Sequence, residues 1–171
     1  MKIIEGMKQI KDLTRKAEDL RKKVQKHHAT TTLDNPEYGD AQQTRINGWI
    51  QAHSDILKEI RQLRYRIQMT NCSVDVSIEL GGKTVTMSIA EWIHRRRDLA
   101  AMEKSMWDQL TDRNLQDGAF KNQAGDLVEV KVVRHYNPDQ RDEMRELFAS
   151  EPMAIDARLE VVNAVTDLVK T

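Results

Sequence analysis

Arginine is the side chain whose placement in this sequence points most directly to chemistry. Arg21, Arg64 and Arg96 stand in helical seam positions that apolar residues otherwise fill, and the polar residues Thr14, His28 and His53 share those seams. A guanidinium in such a position reaches out to solvent or pairs with a carboxylate. Alternatively, several converge from neighbouring subunits on an anion, which the planar fork grips bidentately. Arg66, Thr70 and Asn71 follow Arg64 at the end of its helix, Arg95 and Arg97 flank Arg96, and Arg134 with His135 lies near a later strand. Tyr65 and Tyr136 offer rings that stack on a base. The candidate ligand-binding residues are therefore Arg64, Arg66, Thr70, Asn71, Arg96, Arg97, Arg134 and His135, and the ligand class is a small anion of nucleotide type.

Other chemistry finds little support. The sequence contains no phosphate-binding glycine loop, no nucleophile elbow and no paired-cysteine zinc signature. None of the five histidines pairs with another at metal-binding helical spacing, and the adjacent His27 and His28 read as a solvated helix end. Cys72 has no base near it in sequence and reads as a buried structural thiol. The expectation is a chain without catalytic residues, metal or cofactor.

The elements that must position the arginines are long helices. Ile3, Met7, Ile10, Leu13, Ala17, Leu20 and Val24 alternate steps of three and four, which predicts a heptad-patterned helix from Ile3 to His28. The threonine run and Asp34-Asn35-Pro36 predict a loop. A second helix over Asp40–Met69 carries Ile46, Trp49, Ile50, Ile56, Leu57, Ile60, Leu63 and Ile67 on one face. Residues 1–70 thus form a helical hairpin.

The period then changes. Val74, Val76, Ile78 and Leu80 alternate with polar residues, Gly81-Gly82 supplies a turn, and Val85 and Met87 alternate again, which predicts a β-hairpin. Ser88 and Glu91 form a capping box that opens a third helix, carrying Ile89, Trp92, Ile93, Leu99, Met102, Met106 and Leu110 to about Arg113. A loop over Gln116–Asp126 and a valine-rich strand over Leu127–Tyr136 complete the segment 71–136. Asn137-Pro138 starts a last helix through 137–171, with a kink or short break near Ser150 imposed by Pro152. The fold class is mostly α (α+β), a single domain over 1–171.

Length and composition fit this outline. The 171 residues balance 27 basic against 27 acidic side chains, with 39% hydrophobic and only 5% aromatic residues. Residues 1–28 hold nine basic against four acidic residues, and residues 137–171 hold four against eight. Helices of opposite charge pair readily, and a duplex-binding domain would carry a net basic charge, so nucleic acid is not the expected partner. A single cysteine suits a reducing compartment. No apolar run reaches the length of a membrane span or a secretory h-region.

Three stretches also resemble a family. Arg66-Ile67-Gln68-Met69-Thr70-Asn71, Leu80-Gly81-Gly82-Lys83-Thr84 and Arg96-Arg97-Asp98-Leu99 are similar to segments of the septicolysin-like family of small bacterial and phage proteins. The resemblance covers the chain from about Ile46 onward and includes the run from Asp156 through Asn163 to Leu168, departing at Ala164, where the family tends to carry tryptophan. It implies a long helical hairpin ending in the Thr-Asn pair, a glycine turn and an arginine-bearing helix, in the cytoplasm of a bacterial host. The family label would imply membrane attack, for which no stretch has the apolar face and aromatic content required.

The expected function is a non-catalytic homo-oligomer that sequesters a small anionic ligand, such as a signalling nucleotide captured by a phage anti-defence protein. A structural or adaptor scaffold without a ligand is the alternative, and an enzyme with a site shared between subunits ranks below both. Self-association is expected because two long, continuous seams exceed what one small domain buries alone.

Overall fold

A computed structural model describes residues 1–170 and is mostly helical, with two small two-stranded antiparallel sheets. The chain forms two compact units: Met1–Asp75 with Glu160–Thr171, and Val76–Leu159.

The first unit is the helical hairpin with the C-terminal segment packed on its base. Helix α1 spans Ile3–His27 and α2 spans Gln42–Ser73, entered through a short 3-10 turn at Gly39–Ala41. Leu13, Ile60 and Leu63 form the hairpin core, with Ile10 and Ile56 against it. Gly6, not the expected Met7, faces inward, because Leu168 and Ile67 approach so closely that a Cβ there would meet Leu168 Cδ1 at 3.0 Å. The N-terminus pairs with the segment after the last helix. Ile3 N donates to Thr166 O (3.0 Å), Leu168 N donates to Met1 O (2.8 Å), and Lys2 Nζ meets Asp167 Oδ2 at 2.7 Å. That ion pair holds the Asp167 carboxyl below the usual carboxylate range.

Three expectations about the hairpin are corrected. Helix α2 runs past Thr70-Asn71 to Ser73, so both lie inside it, and Cys72 is exposed on its surface instead of buried. His27 is not a solvated helix end. It is buried at the hairpin tip, with ring centroids 5.5 Å from Tyr38 and 5.6 Å from Trp49, and its carbonyl accepts from Gln42 Nε2 at 2.8 Å. Tyr38 and Trp49 meet edge-on at 5.7 Å, so the three rings pack together at this end of the hairpin.

The second unit starts with the hairpin of β1 (Asp75–Leu80) and β2 (Lys83–Ser88). Gly81 and Gly82 both take positive φ, 56° and 75°, as a tight two-residue turn requires. Ser88 caps helix α3 (Ile89–His94) as expected: its side chain accepts from Glu91 N at 3.3 Å, and Glu91 Oε2 accepts from Ser88 N at 2.8 Å.

The third helix departs from its expected phase. Arg95–Leu99 form a π-helical turn, after which α4 runs over Ala100–Asp108 and stops short of the expected Arg113. One extra residue in the turn rotates everything beyond it. The buried series becomes Trp92, half-buried Arg95 and Ala100, whereas Arg96, Leu99, Met102 and Met106 face outward.

Beyond α4 the expected single strand is a second hairpin, β3 (Gly118–Lys121) with β4 (Leu127–Val130), pairing Gly118 with Val130 and Lys121 with Leu127. Strand β4 ends at Val130 because β3 offers no partner beyond Gly118. Helix α5 spans Pro138–Val165, with Asn137 Oδ1 accepting from Asp139 N (2.9 Å) and Gln140 N (3.3 Å). The expected break near Ser150 is absent. Pro152 removes one N–H, and the buried residues on either side of it, Phe148, Glu151 and Ile155, keep the helix continuous through packing.

Candidate functional site

The eight candidate residues divide four and four between the two units, and most are occupied by partners within the chain. In the first unit, Arg66 Nε donates to Val169 O at 3.0 Å. Thr70 is fully buried: its hydroxyl donates to Arg66 O (2.8 Å) and accepts from Val169 N (3.0 Å). These two side chains fasten the C-terminal segment to α2. Asn71 Oδ1 is enclosed with no hydrogen-bond donor within reach. Arg64 is exposed and has no carboxylate partner among the described residues.

In the second unit, Arg96 Nη1 meets Asp156 Oδ1 at 2.6 Å, joining the π turn to α5. Arg97 reaches Asp98 (3.4 Å) and His94 Nδ1 (3.1 Å). Arg134 grips Asp112 through two bonds, at 2.6 and 2.5 Å, and Tyr136 Oη adds a third to the same carboxylate at 3.2 Å. The Arg134 hydrogen bond is the main reason the Asp112 carboxyl sits below its usual range, and Asp112 raises the Arg134 guanidinium in turn. His135 is exposed. Arg96, Arg97 and Arg134 therefore serve intrachain ion pairs, the first of the two roles a seam arginine can take.

Arg95, a flanking position in the sequence, is more enclosed than Arg96, Arg97 or Arg134. Its guanidinium donates through Nε to Glu151 Oε1 and through Nη2 to Oε2 at 3.1 Å, reaches Glu103 at 3.4 Å, and lies 5.4 Å from the Phe148 ring centroid. Glu151 is itself buried, which no local pattern in the sequence signals because its partner lies far away in the chain.

One further arginine lies off the apolar seam of α2. Arg61 lies one turn before Arg64 on α2 and likewise has no carboxylate partner among the described residues. The spacing 57, 61, 64, 65, 68 follows one helical face, opposite the buried Ile60, Leu63 and Thr70. This outer face carries exposed Leu57, Arg61, Arg64, Tyr65 and Gln68, and Ile50 lies on the same face two turns earlier. It brings unpaired cations, a free aromatic ring and apolar surface onto a rigid helix. Nearer the hairpin tip, Leu20, Val24, Trp49 and Ile50 line an apolar groove between α1 and α2. Arg21, at its margin, is taken up by Glu18 at 2.7 and 2.9 Å.

No helix among the described residues is long and apolar enough to cross a membrane, and no three of their His, Cys, Asp or Glu side chains are grouped to hold a metal ion. Comparison with models of known families, with curated proteins and with solved structures finds no match in any of the three.

Proposed function

We propose that the protein is a non-catalytic homo-oligomer that holds a small anionic ligand, of nucleotide phosphate type, on the outer face of α2. One observation carries this reading: Arg61 and Arg64 have no carboxylate partner among the described residues and stand beside exposed Tyr65, whereas Arg95, Arg96, Arg97 and Arg134 are all paired. Guanidinium groups grip phosphate and an adjacent ring stacks on a base. Exposed Ile50 and Leu57 on the same face supply apolar surface for a second subunit. In this reading the protein acts in the cytoplasm of a bacterial host, where a phage protein of this form would remove a signalling nucleotide without altering it.

The second reading is a scaffold without a ligand, favoured by the pairing of Arg96, Arg97 and Arg134 with Asp156, Asp98 and Asp112. Calorimetry with a panel of cyclic and linear nucleotides separates the two. The ligand reading expects binding that Arg64→Ala weakens by about one to two decades, as loss of a charge-assisted contact does, with the melting temperature unchanged. Arg96→Ala instead lowers the melting temperature, since it breaks the contact to Asp156. Absence of binding across the panel rules out the ligand and leaves the scaffold.

A further inference from the structure

The β3–β4 hairpin is exposed on both faces, and among the described residues neither of its outer edges has a partner; the edge of β4 is the one rich in valine. Phe120 is 52%, Leu127 71% and Val133 72% exposed, and Val128 and Val130 are also exposed. A two-stranded ribbon with this much apolar surface is marginal by itself, and a free edge rich in valine is a template for pairing.

The free edge can be assigned residue by residue. Asn122 N donates to Asp126 O at 2.9 Å, and Val132 N donates to Asp117 Oδ1 at 2.6 Å on the β3 side. Backbone groups alternate sides along a strand, so Asp126, Val128, Val130 and Val132 direct theirs toward β3. Within β4, Leu127 and Glu129 direct theirs outward, and Lys131 and Val133, past its end at Val130, follow the same alternation when the strand is extended along this edge.

The sequence along this edge is its own complement. In Leu127-Val128-Glu129-Val130-Lys131-Val132-Val133, antiparallel pairing of two copies about a twofold axis at Val130 sets Glu129 opposite Lys131. The same register sets Leu127 opposite Val133 and Val128 opposite Val132. The Glu129–Lys131 and Leu127–Val133 pairs fall on outward-directed residues, so they are hydrogen-bonded pairs, and Val130 meets its copy in a non-hydrogen-bonded pair. One face then carries a continuous valine ladder and the other two opposite-charge pairs, each favourable across strands. The register also explains why strand-forming sequence continues past Val130 although β3 does not.

We propose that a second copy of this chain occupies this edge, joining two hairpins into a four-stranded sheet, β3–β4–β4–β3, with a closed twofold contact. The inference shares with the proposed function only the premise that the protein self-associates, and it needs neither the α2 face nor a ligand.

Sedimentation equilibrium of the full chain tests it by charge reversal at exposed positions; because Glu129 and Lys131 also pair within the chain at 3.5 Å, the decisive arm is the mixture, in which that intrachain repulsion persists. Lys131→Glu and Glu129→Lys each set two like-charge pairs across the twofold axis, and each is expected to weaken self-association by about tenfold. Mixing the two variants makes every cross-strand pair attractive again and restores association, as does the double variant Glu129→Lys/Lys131→Glu. A wild type that stays monomeric at tens of micromolar overturns the proposal. So does association indifferent to both single reversals, or association weakened by them and not restored by mixing. Association lost in Leu57→Lys but untouched by either reversal assigns the contact to α2 and sinks the edge pairing alone.

Discussion

Arg95→Ala is expected to destabilise the folded protein by about 3–5 kcal/mol, the cost of stranding a buried charge. Glu151 has only 2% of its side chain exposed, and Arg95, at 20%, supplies both of its hydrogen-bond donors. The large effect comes from the carboxylate left behind, more than from the attraction lost. For that reason the double replacement Arg95→Met/Glu151→Leu, which removes both charges and keeps comparable volume, is expected to recover most of the loss. Urea denaturation of the single and double variants measures this. Equal destabilisation in the two would mean that packing on Phe148, and not charge, dominates at this place.

The second large effect is at Trp92, whose side chain is fully buried and whose Nε1 donates to Val76 O at 2.8 Å. It joins α3 to β1 through both packing and a hydrogen bond. Trp92→Ala is expected to cost about 3–5 kcal/mol through the cavity it leaves. Trp92→Phe keeps most of the volume but leaves a buried carbonyl unmet, at a cost of about 1–3 kcal/mol. Denaturant midpoints of the two variants give the comparison, and similar midpoints would mean that the hydrogen bond outweighs the packing.

Both effects arise where the sequence is hard to read. Local signals fix their elements well. The seam from Ile3 and the threonine run that follows place the end of α1 at His27, one residue from expectation, and Ser88 with Glu91 fixes the start of α3. Gly81-Gly82 marks its turn because the backbone there needs positive φ. The π turn at Arg95–Leu99 leaves no such mark. It inserts a residue into the helical period, so the seam that puts Arg96 inward instead admits Arg95 and turns Met102 and Met106 to the surface.

The candidate arginines show the same limit. Asp156 and Asp112 are distant in sequence from Arg96 and Arg134, so whether each cation meets a carboxylate is decided by tertiary packing. The outer face of α2 was legible in principle, since Leu57, Arg61, Arg64, Tyr65 and Gln68 keep helical spacing. The apolar seam of α2, running through Ile60 and Leu63, lies on a different face and carries the stronger periodic signal. Thr70 and Asn71 differ from expectation for another reason: polar residues before a strand favour a helix end, but the hydrogen bonds of Thr70 to Arg66 and Val169 stabilise another turn of α2.

Native mass spectrometry of the purified protein tests the central claim most directly, because a single spectrum reports both assembly and retained ligand. The expected spectrum shows a mass that is a multiple of the single chain, carrying a small-molecule adduct whose released form absorbs as a nucleotide and which Arg64→Ala no longer retains. A single-chain mass at micromolar concentration, with no adduct before or after addition of nucleotides, would contradict it.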